Sequence, residues 1–247
     1  MSPTHRNIDD YVEQYKALPF EQLQIQFRRK LVLNQISRLA PRRLLEVGCG
    51  ELPLFLDLPP EIDVTIVEPA AVFVENARTL ASGMERIKIL QGYIESADLK
   101  DQSFDMIVLS CVLHEVPDPI AMLTAIARLC GPSTLLHVNV PNLRSMHRLL
   151  AVSMNLISDP SHKSETQRLM QQRDKPYDMQ GLIAELASAG FNVTEQGSLF
   201  VKPFSHKQMQ ELVDIGFMSL AMLDGLDKLV EWLPDLGSEI WVHARRV

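Results

Sequence analysis

Two glycines and one glutamate form the pattern with the clearest chemical meaning. Gly48 and Gly50 follow the apolar run 43–47, and Glu68 comes eighteen residues after Gly50, at the end of the next apolar run. Glycine lets the backbone turn sharply and approach a ligand, because no Cβ stands in the way. A carboxylate at the end of the neighbouring strand can accept hydrogen bonds from both hydroxyls of a ribose. The spacing therefore predicts a nucleoside-binding site.

The residues after the glycines indicate which kind of nucleoside ligand can bind. A dinucleotide site needs a third glycine at the start of a helix, so that free N–H groups meet the diphosphate. Here Pro53 stands at that position and has no N–H, and Leu52, Leu54 and Phe55 make the turn bulky. The turn disfavours a diphosphate, and with it a nucleotide-linked oxidoreductase. It favours a nucleoside joined through an uncharged linker to a small zwitterion.

The elements that must position these residues follow from short apolar runs. Five such runs, each ended by glycine, proline or polar residues, predict buried strands over 43–47, 63–68, 86–91, 104–110 and 133–139. Helical patterns over 70–81 and 119–130 lie between them. Apolar strands that alternate with helices are typical of a parallel sheet covered on both faces. We therefore expect an α/β, Rossmann-like, doubly wound sheet with its ligands at the carboxyl ends of the strands.

The flanking segments complete the predicted organisation. Residues 1–40 are predicted to form N-terminal helices, which Pro19 divides, and 143–175 to form a helical cap inserted after the fifth strand. Later patterns predict a helix over 178–189, strands over 191–201 and 239–245, and a helix over 205–232. The expected architecture is a seven-stranded, mostly parallel sheet in one domain spanning residues 1–247.

Two histidines are candidate catalytic bases. His114 follows the fourth strand and therefore lies at the ligand-bearing edge, and His147 follows the fifth strand beside Arg148. An imidazole with an ordinary pKa near 6.5 can remove a proton at neutral pH. The alternatives are a loop histidine that shapes the pocket, for His114, and a substrate contact, for His147. No pair of histidines has metal-ligand spacing with carboxylates, so no metal site is predicted.

Over about residues 40–140, the order and spacing of these motifs resemble those of the class I S-adenosylmethionine-dependent methyltransferases. Glu46-Val47-Gly48-Cys49-Gly50 is similar to the superfamily's first motif, whose glycine turn lies against the methionine part of the cofactor. Glu68 is similar to its ribose-binding acid, the stretch 91–95 to the loop that flanks adenine, and the stretch 103–119 to the fourth motif with its exit loop. The resemblance implies S-adenosyl-L-methionine as the cofactor. The cofactor contacts that it implies are Glu46, Gly48, Cys49, Gly50, Glu68, Pro69, Tyr93, Ile94, Glu95, Ser110 and Cys111.

Further stretches resemble a bacterial subgroup of small-molecule methyltransferases, although they identify no substrate: 19–21, 141–148, 189–191 and 200–203. Two positions depart from the family. Tyr93 stands where many relatives carry the acid that binds the adenine amino group, so adenine recognition would depend on backbone groups, Ile94 or Glu95. Where many relatives have a Gly-His-x-Arg-x-Tyr pattern, residues 172–177 keep only Tyr177, so a role for that histidine does not carry over.

The acceptor side is predicted from residues near the same edge. The segment 141–175 has six Lys or Arg residues against three Asp or Glu, a net charge of 6 − 3 = +3. It forms either a solvated helical face or a cap that attracts an anionic acceptor. Tyr11 and Tyr15 either close over the cofactor as a lid or pack in the core. The candidate substrate contacts are Tyr11, Tyr15, Asn142, Arg148, Tyr177 and Lys202.

The overall composition narrows the class of protein. The 247 residues include 24 Lys and Arg against 31 Asp and Glu, and the formal charge of −7 argues against a nucleic-acid binder. The first ten residues have no apolar stretch typical of a signal peptide, and no run of about 18 apolar residues predicts a membrane span. The three cysteines lie far apart, which favours reduced thiols in a cytoplasmic protein. The oligomeric state is not predicted.

Together these features predict methyl transfer from S-adenosylmethionine to a small molecule, at an oxygen atom and by in-line displacement. Two alternatives stay open. One is a protein that binds the cofactor without catalysis. The other, which the bulky turn disfavours, is the nucleotide-linked oxidoreductase.

Overall fold

The computed structural model describes residues 7–100, 102–163, 168 and 176–247. Seven strands form one sheet: β1 Arg43–Val47, β2 Asp63–Glu68, β3 Ile87–Gln91, β4 Met106–Ser110, β5 Leu135–Pro141, β6 Phe191–Leu199 and β7 Glu239–Arg246. The α-helices in these ranges are α1 Ile8–Lys16, α2 Glu21–Leu39, α3 Ala71–Leu80, α4 Pro119–Leu129, α5 Met146–Ser153, α6 Met179–Ser188, α7 His206–Asp214 and α8 Leu220–Lys228. None of these described helices is long and apolar enough to cross a membrane.

The strand order opens a crevice between β1 and β4. The order across the sheet is β3-β2-β1-β4-β5-β7-β6, and β7 runs antiparallel to both of its neighbours. The chain proceeds in one direction from β1 to β3 and in the other from β4 to β5. At such a reversal, the loops that leave two adjacent strands turn apart and leave room for a ligand. Gly48 follows β1 and Cys111 follows β4, so both residues lie at this crevice.

Alternate residues of the central strands pack against opposite layers. Leu44 and Met106 belong to a buried cluster that includes side chains of α2 and α3, whereas Leu45 and Ile107 belong to one that includes side chains of α4 and α6. An alternation with a period of two is expected of strands that are buried on both faces. The sheet is therefore anchored on both sides, and it holds the loops at its carboxyl edge in place.

The structure confirms the predicted α/β architecture and the mostly parallel, seven-stranded sheet. The segment 205–232, which the sequence predicts to be helical, forms two α-helices. It divides because α7 ends at Asp214, and Gly216, at φ 74°, adopts the left-handed conformation that ends a helix. A new helix, α8, begins after Ser219, whose side-chain oxygen accepts a hydrogen bond from the Met222 N–H.

Outside the sheet, the N-terminal helices and the described part of the predicted cap lie where the sequence predicts them. Pro19 lies in the short connection between α1 and α2, as expected. Of the predicted cap, α5 and the chain up to residue 163 are described, whereas 164–167 and 169–175 lie outside the described residues. A third apolar cluster ties α2 to the chain after β6 and to the last helices, and it contains Phe20, Phe27, Phe200, Met209 and Leu223.

A buried histidine pair lies between β5 and β7. His243 Nε2 is 3.1 Å from His137 Nδ1, and His243 Nδ1 is 2.8 Å from the carboxylate of Glu195. Burial, together with the neighbouring His243, lowers the pKa of His137 to about 3. His137 is therefore neutral in the folded protein near neutral pH.

We expect this pair to make folding sensitive to acid. Below about pH 6.5 an unfolded histidine binds a proton that buried His137 does not bind, so stability that is present at neutral pH is lost as the pH falls toward 3. At about pH 5 the loss from one such group is up to about 2 kcal/mol. Urea unfolding should show a smaller loss between neutral pH and pH 5 in His137→Gln than in the wild type. The exposed control His162→Gln should keep the full loss. Equal losses in all three proteins would contradict the prediction.

Candidate active site

A cavity of about 310 Å³ fills the crevice at the carboxyl ends of β1 and β4, and α1 and α2 cover it. We call the part beside the turn after β1 the glycine end; it is lined by Gly48, Cys49, Gly50, Glu68 and Tyr93. We call the other part the polar end; it is lined by Arg28, His147, Arg148, Lys202 and Glu239. The chain that follows β5 and β6 contributes to the polar end.

The turn after β1 has two glycines in the left-handed conformation, and the first of them has no room for a side chain. Gly48 and Gly50 have φ angles of 77° and 56°, in the left-handed region that residues with a side chain rarely adopt. A Cβ on Gly48 would lie 2.6 Å from Cγ2 of Val112, in the loop after β4. The two loops therefore meet with no side chain of the turn between them, and the backbone of the turn forms the cavity surface.

Glu68 is the buried carboxylate that holds this turn. Its Oε2 accepts hydrogen bonds from the N–H groups of Cys49 and Gly50, at 3.0 and 3.4 Å, and its Oε1 accepts one from the Ala70 N–H at 2.8 Å. Burial raises the pKa of Glu68, and the three N–H groups oppose that rise. A carboxylate has about four acceptor positions, and the Cys49 thiol also interacts with this carboxylate. The long bond to Gly50 is the one that a hydroxyl donor can replace.

Glu46 braces the segment that follows the glycines. Both of its carboxylate oxygens accept from the Leu54 N–H, at 3.2 and 3.0 Å. Burial raises the pKa of Glu46 to about 8, although this bond and the charge of Arg29 act in the opposite direction. The chain continues as the short 3-10 helix Leu54–Asp57, whose first N–H is thus already bonded. The Leu54 N–H is therefore already used and is not available to a ligand phosphate.

The loop after β3 contributes Tyr93 and Ile94 to the glycine end, and Pro69 and Ser110 also line it. Glu95 is exposed and lies outside the cavity lining, so the structure does not bring it to the other predicted cofactor contacts. The side chains of Tyr93, Ile94 and Pro69 suit a ligand with a flat, largely apolar ring.

Cys111 connects the loop after β4 with the polar end. It has a φ of 55°, and its Sγ donates to Oε2 of Glu239 at 3.4 Å. Asn139 Nδ2 donates to the same oxygen at 2.8 Å. Burial raises the pKa of Cys111 well above its ordinary value, so the thiol stays protonated and serves as a donor.

A buried ion pair organises the polar end. The Nε of Arg28, on α2, donates to both oxygens of Glu239 at 3.1 and 2.9 Å, and its Nη2 donates to Glu21 at 3.0 Å. Burial on its own would raise the pKa of Glu239, but the charge of Arg28 and the hydrogen bonds from Arg28 and Gln24 lower it to about 2. Both partners are therefore charged at neutral pH.

Lys202 belongs to the same network although it is only 2% exposed. Its Nζ donates to Oε1 of Gln24 at 3.1 Å and lies 3.0 Å from Nε2 of His206. Burial lowers the pKa of Lys202 to about 7. Burial, with the charges of Lys202 and Arg28, lowers the pKa of His206 to about 3, so that ring is neutral and its Nε2 accepts from the ammonium group.

His147 and Arg148, in the first turn of α5, complete the polar end. His147 Nδ1 is buried and has no hydrogen-bond partner among the described residues. Burial, together with Lys202 and Arg148, lowers the pKa of His147 well below 6.5, so its ring is neutral as well. Arg148 donates to the backbone carbonyls of Pro160 and His162, at 2.7 and 2.9 Å, and so fixes the chain beyond α5.

His114, in the loop after β4, is buried and lines the cavity. Its Nε2 lies 3.7 Å from the carboxylate of Glu115. Within the described ranges, no group of three or more His, Cys, Asp or Glu side chains could hold a metal ion.

The structure places some of the other predicted acceptor contacts at the cavity and one of them away from it. Tyr11 and Tyr15 line the cavity, with ring centroids 6.0 Å apart. Asn142 lines it too, but its amide nitrogen donates to two backbone carbonyls of the chain before β7, at 2.9 and 2.8 Å. Tyr177 is buried in the core cluster that includes α4 and α6, outside the cavity lining. Tyr177 therefore joins Glu95 as a predicted contact that the fold does not bring to the cavity.

Sequence reasoning missed five members of the polar network: Glu21, Gln24, Arg28, His206 and Glu239. The first three are spaced three and four residues apart, which places them on one face of α2, and this spacing was a usable signal. Glu239 is a lone acid at the start of an apolar strand, and His206 follows no pattern. Only the folded chain brings these two residues to α2.

Comparison with protein families supports the same location for the site. Residues 45–138 match the family described as a methyltransferase domain, and this segment contains the glycine turn, Glu68 and His114. Residues 45–138 therefore form a methyltransferase domain, and the sheet has the fold of the class I S-adenosylmethionine-dependent enzymes. S-adenosylmethionine is accordingly the cofactor of this methyltransferase domain. Comparison with curated protein sequences finds no match.

Solved structures resemble the methyltransferase at low sequence identity. A possible histamine N-methyltransferase from Thermotoga maritima is 20% identical, with a TM-score of 0.60 over 97% of this chain and 98% of that one. The N-methyltransferase NodS from Bradyrhizobium japonicum, in complex with S-adenosyl-L-homocysteine, is 14% identical, with a TM-score of 0.58 over 98% and 99%. The (4+2) cyclase SpnF is 18% identical, with a TM-score of 0.59 over 88% and 80%. These likenesses show the fold, and the fold alone does not set the reaction.

We expect Gly48→Ala to destabilise the methyltransferase by about 2–4 kcal/mol, because the new methyl group meets Val112 and the φ angle is unfavourable. Gly83→Ala is a matched control, since Gly83 has a similar φ of 79° but no atom within 4 Å of the added Cβ. The control should lose only about 1–2 kcal/mol. Urea unfolding measures both changes, and calorimetry with S-adenosylhomocysteine should show weaker binding in G48A alone. Equal effects of the two variants would mean that the close approach of the loops is unimportant.

Proposed function

We propose that the methyltransferase transfers a methyl group to a hydroxyl group of a small molecule. The observation that supports this most directly is that one cavity joins the glycine end, where a nucleoside fits, to a polar end lined by buried hydrogen-bonding side chains. The cavity volume of about 310 Å³ and the cover formed by α1 and α2 favour a small acceptor over a macromolecule.

The glycine end fits the nucleoside part of S-adenosylmethionine. Glu68 can exchange its long bond with Gly50 for a bond to a ribose hydroxyl. Tyr93 and Ile94 provide a wall for the adenine ring. Gly48 and Gly50 line the cavity where the family resemblance puts the methionine part.

When bound, the cofactor supplies a methyl group on a positively charged sulfur, and the acceptor oxygen displaces the sulfur in line. An O–C bond forms while the C–S bond breaks, and the hydroxyl proton passes to a base. The thioether that leaves is neutral, so the protein does not need to stabilise charge there. Its contribution is to align the acceptor oxygen, a term of roughly 7–11 kcal/mol in favourable systems, and to accept the proton.

We assign the role of base to His114. The carboxylate of Glu115, 3.7 Å from Nε2, favours the imidazolium that forms when the proton is taken up. His147 is less suited, because burial and the charges of Lys202 and Arg148 hold its pKa well below 6.5. A ring that resists protonation serves better as a neutral hydrogen-bonding group, so we assign His147 to contact with the acceptor.

The ribose contact predicts that Glu68→Ala weakens the binding of S-adenosylmethionine at least about tenfold, or about 1.4 kcal/mol, because the acceptor for the sugar hydroxyls is lost. Isothermal titration calorimetry measures this change. Glu75→Ala, on the exposed side of α3, is the control and should bind like the wild type. An unchanged dissociation constant in E68A would mean that the ribose is held elsewhere.

The base assignment predicts that His114→Gln lowers kcat by about 10²-fold or more, while the dissociation constant of the cofactor changes less than about twofold. The acceptor for this assay comes from a screen of metabolite extracts for uptake of a labelled methyl group from the cofactor. His147→Gln should mainly raise the KM for the acceptor. Wild-type turnover in H114Q would reduce His114 to a structural residue, and methylation of a nitrogen atom would contradict the hydroxyl assignment.

A further inference from the structure

We propose that the acceptor carries a carboxylate group, which Lys202 and His147 bind at the polar end of the cavity. This inference rests on the proposed methyl transfer, because it concerns the second substrate of that reaction. It combines an unused donor on Lys202, an unpartnered ring nitrogen on His147 and an excess of positive charge around them. The substrate class is therefore a small hydroxy acid.

Within the described part of the chain, Lys202 has one ammonium proton left for a ligand. An ammonium group has three N–H donors, and two of them are directed at Oε1 of Gln24 and Nε2 of His206, at 3.1 and 3.0 Å. The side chain is 2% exposed and lines the cavity, so bulk water has little access to the third donor. A buried donor without a partner is unfavourable, and a ligand oxygen that accepts this proton gains binding energy.

His147 supplies a second hydrogen-bonding atom. Its Nδ1 is buried and has no partner among the described residues, and the residue lines the same end of the cavity as Lys202. Burial and the nearby cations keep the pKa of His147 low, so the ring is neutral and carries one N–H. An anionic ligand selects the tautomer with that proton on Nδ1, where it donates to the ligand.

The charged groups around Lys202 have a net positive charge that one monoanion can balance. The groups that act on it most are the carboxylates of Glu21 and Glu239 and the guanidinium groups of Arg28 and Arg148. With Lys202 protonated, the sum is 3 − 2 = +1. Arg28 is bonded to both carboxylates, whereas Arg148 bonds backbone carbonyls in the described part of the chain. A monoanion balances this charge, but a phosphate dianion would exceed it and would face two buried carboxylates.

A carboxylate matches the two donors better than other monoanions do. It has two oxygens, one for Lys202 and one for His147, whereas a phenolate has only one. Anchoring the acid at the polar end also restricts where the hydroxyl of the same molecule can lie. That restriction is the kind of positioning on which in-line displacement depends.

The proposal can be tested by binding, before the natural acceptor is known. The probes are 3-hydroxybenzoate with 3-hydroxybenzamide, and 3-hydroxybutyrate with 3-hydroxybutyramide, since each pair differs in charge at nearly constant shape. In calorimetry on protein saturated with S-adenosylhomocysteine, at least one acid should bind about tenfold more tightly than its amide. Lys202→Met should abolish this preference, and Lys207→Met, at an exposed position on α7, should keep it. S-adenosylhomocysteine should bind equally well to both variants.

Several outcomes would overturn the carboxylate site. They are equal binding of acids and amides by the wild type, no binding of either acid, a preference for acids that survives in K202M, and tighter binding of 3-hydroxyphenyl phosphate than of the acids. If K202M loses S-adenosylhomocysteine and so does not fold properly, His147→Gln replaces it and should lower the preference at least about threefold. A wild-type protein that does not bind S-adenosylhomocysteine would instead contradict the proposed function, which keeps the two failures distinct.

Discussion

The carboxylate of Glu68 is the interaction on which the glycine end depends. Its bonds to the N–H groups of Cys49, Gly50 and Ala70 connect the turn after β1 with the start of α3. The same side chain therefore holds the conformation of the turn and is the acceptor that we propose for the ribose hydroxyls. Burial disfavours a carboxylate unless donors surround it, and the backbone of the turn provides those donors. Glu46 follows the same rule through the Leu54 N–H.

The polar end depends on a different kind of contact. Arg28 and Glu239 are 211 residues apart in the chain, one before the first strand and the other at the start of the last. Removing either partner would leave the other charge buried, at a cost of about 3–5 kcal/mol. This end of the cavity therefore forms only when the last strand is in place, whereas the hydrogen bonds that the carboxylates of Glu46 and Glu68 accept from the backbone stay within residues 46–70.

This division explains how one fold can serve different reactions. The glycine end is made by a strand, a turn and the next strand, and it lies within the segment that matches the methyltransferase family. Most of the polar end lies outside that segment, on α2, α5 and the chain after β6. Solved structures with the same fold include the N-methyltransferase NodS and the (4+2) cyclase SpnF, so the fold alone does not set the reaction.

The sequence by itself determined the strands, the glycine turn, the acid at the end of β2 and the class of cofactor. Each of these is a local pattern: an apolar run, a φ angle that only glycine adopts readily, or a spacing between consecutive elements. Lys202 could be predicted as an acceptor contact, but its burial and its bond to Gln24, 178 residues away, could not. Tyr177 and Glu95 were placed outside the cavity by packing. Only the tertiary structure decided which charges share the polar end, because a buried charge is stable only beside partners that the order of the strands brings together.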